Sequence, residues 1–140
     1  MPIRVRTIGE EGVVLSQHCG AVSDEEMLST YRELFSGQEV LRESDFLVDL
    51  RKADSRSRSS DGIRQMAKAS DLAPERGTKR KIAIVVNNDL SFGLARMYQA
   101  YAEQACQEVN ILYSLDEALP WLGCEAEPLF SEAKSWLAEN

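Results

Sequence analysis

Apolar positions recur along this chain at two spacings, and the alternation between them outlines the fold. Ile3 and Val5 alternate with Arg4 and Arg6, as in an edge strand with one wet face. Val13-Val14-Leu15 follows after the Gly- and acid-rich turn Gly9-Glu10-Glu11-Gly12, so the chain opens on a hairpin, with strands near 3–8 and 12–17. From Ser23 the period changes. Ser23 and Glu26 have the spacing of a reciprocal helix cap, and Met27, Leu28, Tyr31, Leu34 and Phe35 fall on one helical stripe up to a stop at Gly37.

Two runs then read as continuous apolar strands, Phe46–Leu50 and the stronger Ile82–Val86. Strands apolar on both sides are the habit of parallel sheets covered by helices, so these two are expected to be central, parallel and adjacent. A weaker helix over 61–72 carries Ile63, Met66 and Ala67, and Pro74 to Lys81 reads as a polar connection. Asn87-Asn88-Asp89 offers caps for a helix over 92–106, with Leu94, Ala95, Tyr98, Tyr101, Ala102 and Ala105 facing inward. A strand at 109–113 and a short helix from Ser114 or Asp116 to Leu122, closed by Gly123, complete the alternation. The expected class is α/β: a mixed, mostly parallel sheet with covering helices in the order β-β-α-β-α-β-α-β-α. One more amphipathic helix lies in the tail 124–140, with Leu129, Phe130, Ala133, Trp136 and Leu137 on one stripe. Its apolar face needs a cover: docking on its own domain and docking across a two-fold axis are both open, with a homodimer the preferred expectation.

At 140 residues the chain has room for one core. The longest apolar run is far short of a membrane span, and no secretory signal opens the sequence, which together read as a soluble, cytoplasmic protein. Net charge is −7, which opposes general nucleic-acid binding. The charge is uneven: residues 51–81 carry a net +6 and the remainder −13, so the basic middle is a possible docking surface or simply a solvated loop.

Catalytic chemistry is not written in the motifs. His18 is the lone histidine, and its neighbour Cys19 would point to the opposite face of an extended segment, so the two do not form a nucleophile–base pair. Cys19, Cys106 and Cys124 are widely spaced, as reduced thiols rather than a disulfide framework or a zinc site. No Gly-x-Ser-x-Gly elbow, phosphate loop or dinucleotide motif occurs. Asp49, Asp54, Asp61 and Asp89 lie near two strand ends, but their spacing matches no metal loop. The expectation is a non-enzyme with no cofactor and no metal.

Three stretches together carry a resemblance: Phe46-Leu47-Val48-Asp49-Leu50-Arg51; Ile82–Val86 with Phe92-Gly93-Leu94-Ala95-Arg96-Met97-Tyr98; and Leu115-Asp116-Glu117-Ala118-Leu119-Pro120-Trp121-Leu122. They resemble SpoIIAA-like bacterial proteins, of the STAS and SEC14-like neighbourhood. The resemblance covers about 3–123, implying a STAS-like domain over 1–123 with 124–140 as an addition. In anti-anti-sigma factors of that neighbourhood an Asp-Ser-x-Gly-Leu segment carries a phosphorylated serine. The similar segment here is Ser59-Ser60-Asp61-Gly62-Ile63, with Ser60 in the serine position, Ser59 in place of the acidic residue, and a basic loop before it.

In open parallel sheets ligands lie beyond the carboxyl ends of the strands, here 51–61 and 87–92. Ser59, Ser60, Arg56 and Arg58 are therefore the candidate phospho-switch or anion site, since a helix N-terminus favours negative charge. The simpler reading makes Ser59 or Ser60 a helix cap. Phe92, Met97, Tyr98 and Tyr101 are candidates to line an apolar pocket, although helical spacing suits core packing equally. The function expected is a regulatory or protein-interaction module with an unidentified protein partner; the alternative is a binder of a small apolar or anionic ligand.

Overall fold

A computed structural model describes residues 2–10, 12–36, 44–69, 80–102 and 107–139. Five strands form one sheet in the spatial order β1 (Ile3–Ile8), β2 (Val13–Ala21), β3 (Phe46–Asp54), β4 (Arg80–Val85), β5 (Gln107–Leu112). The first two are antiparallel, in register from Ile3 against His18 to Ile8 against Val13. Gly9 and Gly12 let the hairpin turn because both take positive φ, 74° and 70°. The remaining pairings are parallel. The class is α/β with a mixed, mostly parallel sheet, and the two apolar strands are adjacent, parallel and off the sheet edges.

Three helices cover one face: α1 (Asp24–Ser36), α2 (Ser60–Ala69) and α3 (Asp89–Ala102). Two cover the other: α4 (Leu115–Trp121) and α5 (Leu129–Ala138). Local chemistry sets their starts. Ser23 Oγ accepts from Glu26 N at 3.0 Å and Glu26 Oε1 accepts from Ser23 N at 3.3 Å, the reciprocal cap expected for α1. Asn88 Oδ1 accepts from Ser91 N at 2.9 Å, so α3 begins earlier than its apolar stripe. Ser114 caps α4.

Several boundaries differ from the sequence reading. β2 runs on to Ala21 and β3 to Asp54, because Cys19–Ala21 pair with Lys52–Asp54 beyond the apolar runs, after a register shift at Gln17/Cys19. Backbone pairing there continues past the last large apolar side chains. β4 begins at Arg80, inside the stretch read as a polar connection. Tyr101 is exposed rather than inward, lying under the Arg64 guanidinium at 5.5 Å. The helix stop at Gly37, the inward Ala105, the Cys106 end of the third helix, Leu72, and most of the 74–81 connection lie outside the described residues.

Of the two covers open to the tail helix, the structure shows the helix docked on its own domain. Ala133, Trp136 and Leu137 of α5 share one buried cluster with Ile8, Leu15 and Leu47 of the sheet, so the stripe is covered by its own chain. Polar bonds fix it there. Arg4 Nη2 donates to Trp136 O at 2.9 Å, Gln17 Nε2 to Leu137 O at 2.7 Å and Lys52 Nζ to Glu139 O at 2.8 Å. Side chains from three strands thus bond carbonyls at the end of the helix, where Trp136 O also accepts from Glu139 N at 3.2 Å. Arg4 also lies over the Trp136 ring at 4.3 Å.

Asp49, fully buried, completes this layer: it takes a two-pronged bond from Arg51 at 2.9 Å and one from Gln17 Nε2 at 3.0 Å. Burial alone would raise its carboxyl, but the Arg51 and Gln17 hydrogen bonds outweigh that and hold it below the usual range.

Candidate functional site

Between the sheet and α1–α3 lies a cavity of about 90 Å³. The sheet forms its floor with Phe46, Val48 and Ile84, and the helices form its roof with Met27, Ile63 and Leu94. The strands place these residues by their period of two, which sends Val48 to this face while Leu47 packs under α4 and α5. The cavity extends to the carboxyl-end edge of the sheet, where Gly20, Asp54 and Ser55 line it.

Its polar lining is sparse and internally bonded. Ser16 and His18 alternate with Leu15 and Gln17 along β2, so both face α1. Tyr31, within the apolar stripe of α1, meets them there: its hydroxyl is 2.8 Å from His18 Nε2 and 2.8 Å from Ser16 Oγ. Burial lowers the His18 pKa to about 4, the Arg58 charge adds to that, and Asp49 opposes it weakly. Burial likewise pushes the Tyr31 hydroxyl well up. His18 is therefore a neutral hydrogen-bonding group at neutral pH.

The second polar group stands at the start of α2. Arg58, 9% exposed at its side chain, donates to Asp24 Oδ1 at 2.7 Å, and Ser59 Oγ donates to Asp24 Oδ2 at 2.5 Å. Ser59 also accepts from Gly62 N at 3.0 Å, which makes it the N-cap of α2. Partial burial raises the Asp24 carboxyl, and the bonds from Ser59 and Arg58 more than reverse this. A carboxylate of the chain itself thus sits where a helix N-terminus would receive an anion.

The four candidate residues divide accordingly. Arg58 and Ser59 meet on Asp24. Ser60 is exposed on the first turn of α2. Arg56 is bonded to Asp54 at 2.9 and 2.7 Å and points to solvent with 82% of its side chain exposed. Of the aromatic and methionine candidates, Tyr98 lines the cavity, whereas Phe92 stacks on Tyr113 with centroids 5.8 Å apart.

Ser16, His18, Tyr31 and Asp24 were not singled out together by sequence. The available signal was the pair of polar residues two apart in an otherwise buried strand, facing a tyrosine in an apolar helical stripe. Among the described residues, no group of three or more His, Cys, Asp or Glu side chains is arranged to hold a metal ion, and no helix is long and apolar enough to cross a membrane. No protein-family model, curated protein or solved structure matches this chain.

Proposed function

We propose that this protein is a non-catalytic, STAS-like module that takes a small apolar ligand into the cavity beneath α1–α3. The observation that carries this reading is the cavity itself: about 90 Å³ of space with a predominantly apolar wall. A water needs roughly 10–15 Å³ on such a measure, so the space is large enough for a small ligand. The element order and the five-stranded mixed sheet support the STAS-like assignment. The polar groups found here serve structure: His18 bonds Tyr31, and Ser59 caps a helix.

Toluene, titrated while amide NMR shifts are followed, tests the reading. Saturable shifts at Ile63 and Leu94 are expected, and Ala95→Leu, which fills the space from α3, should abolish them. Shifts that stay linear in toluene, or that persist unchanged in the filled variant, would remove the ligand-binding reading.

A second reading, that of a protein-interaction module, is favoured by a separate feature. Leu90 and Tyr113 are 48% and 54% exposed beyond the carboxyl ends of the parallel strands, the same edge that presents Arg56. Exposed apolar side chains beside a charge suit a protein partner. Loss of a captured partner in Leu90→Asp and Tyr113→Ser, with unchanged melting temperature, is its expected signature.

A further inference from the structure

Charge balance at the polar end of the cavity restricts what its occupant can be. Five groups bear on this: His18, Tyr31, Arg58, Asp24 and Asp54. The Arg58 guanidinium is already matched by Asp24 at 2.7 Å, Asp54 is matched by Arg56 at 2.7 Å, and His18 and Tyr31 are bonded to each other. The end is polar but carries no surplus positive charge. A ligand carboxylate or phosphate entering it would add a negative charge beside a pair that is already balanced and whose Arg58 side chain is largely buried, and an uncompensated buried charge is disfavoured. A neutral oxygen meets no such cost. A guanidinium has five N–H donors, and Asp24 takes one of those on Arg58 at Nη1, so Arg58 retains donors for an uncharged acceptor.

Resting on the ligand-binding reading above, we infer that the cavity selects uncharged ligands: an apolar body against Met27, Ile63 and Leu94, with a carbonyl, ether or hydroxyl oxygen accepting from Arg58. Asp24 is then a specificity-determining residue. It holds Arg58 in place and cancels the charge that would otherwise draw anions.

Toluene, acetophenone and benzoate test this at neutral pH, since the last two are near-isosteres that differ in headgroup charge. Dissociation constants come from the same amide shifts at Ile63 and Leu94. Acetophenone is expected to bind at least about tenfold tighter than benzoate, the equivalent of about 1.4 kcal/mol, and tighter than toluene. Asp24→Asn keeps the acceptor oxygen but removes the charge, and should bring benzoate to equal or tighter binding than acetophenone. Benzoate binding as well as acetophenone in the unmodified protein would overturn the inference while leaving the ligand-binding reading intact. So would equal binding of all three probes, or selectivity unaltered by Asp24→Asn in a variant shown to be folded. Failure of every probe to shift the cavity amides would remove both.

Discussion

Gly62 stands where the beginnings of α1 and α2 converge, and its lack of a side chain is what permits the convergence. A Cβ built there collides with the Asp24 carboxylate, the group that binds Arg58 and Ser59. In an exposed helix, alanine would be preferred over glycine by up to about 1 kcal/mol. Here the sign should reverse. Gly62→Ala is expected to destabilise by about 1–3 kcal/mol through overpacking, whereas in an Asp24→Ala background the same change should be neutral or stabilising. Urea denaturation of the four proteins gives the coupling directly. Additive effects would mean that the two residues do not meet.

The neighbouring serines separate cleanly at this scale as well. Ser59→Ala should lose about 1 kcal/mol as a lost cap, and Ser60→Ala should stay within about 0.5 kcal/mol of the parent. A phosphate on Ser59 would face Asp24 across the bond its hydroxyl now makes, whereas one on exposed Ser60 would lie at the helix N-terminus. If a switch operates, Ser60→Asp should therefore fold like the parent and alter partner binding. Ser59→Asp should also lower the melting temperature.

Among the elements, α5 is the one whose role departs furthest from its position in the sequence. Read from the end of a domain at Gly123 it is an addition, yet Trp136 and Leu137 are core residues and three strands bond its last carbonyls. Fully burying a large apolar side chain is worth about 1.5–3 kcal/mol. With Leu129 and Phe130 packed at the margin, removing the helix forfeits roughly 5 kcal/mol or more, comparable to the whole stability of a small domain. Ending the chain after Gly123 should therefore abolish cooperative urea unfolding followed by circular dichroism. A truncated protein unfolding cooperatively with a loss below about 2 kcal/mol would restore the appendage reading.

The same element shows what sequence patterns carry. Helical spacing identified the buried stripe of α5, and two apolar runs identified β3 and β4, because periodicity reports which face is buried. It does not report against what. The lengths of β2 and β3 escaped because Cys19–Ala21 and Lys52–Asp54 pair through backbone alone. The site was legible in part for the same reason: a capping serine is a local signal, but Asp24 lies 34 positions before Arg58, and only the fold unites them. His18 and Tyr31, 13 apart, are joined by the sheet-to-helix packing that leaves the cavity.

At the scale of the whole molecule, the described arginines of the basic middle are matched by carboxylates or buried. Arg51, Arg56, Arg58 and Arg64 are ion-paired with Asp49, Asp54, Asp24 and Asp61, and Arg80 is buried with its guanidinium over Phe35. Stability as a function of pH should accordingly be governed by buried groups. His18 is displaced from 6.5 to about 4 by burial and by Arg58. As pH falls below about 6.5, the unfolded chain takes up a proton that folded His18 refuses, so stability declines until pH reaches about 4, below which both states are protonated. A displacement of that size corresponds to roughly 3 kcal/mol. The depressed carboxyls act in a lower window: their unfolded counterparts begin to take up protons below about pH 5, so Asp24, Asp49 and Asp54 cost stability from there down through 3.8. The decline between about pH 6.5 and 5 is thus assignable to one residue. Urea midpoints across that range should fall steadily in the parent protein. In His18→Gln they should start lower, through disturbance of the Tyr31 bond, but stay nearly level. An equal slope in both proteins would show that His18 is hydrated in the folded state and does not line a dry cavity.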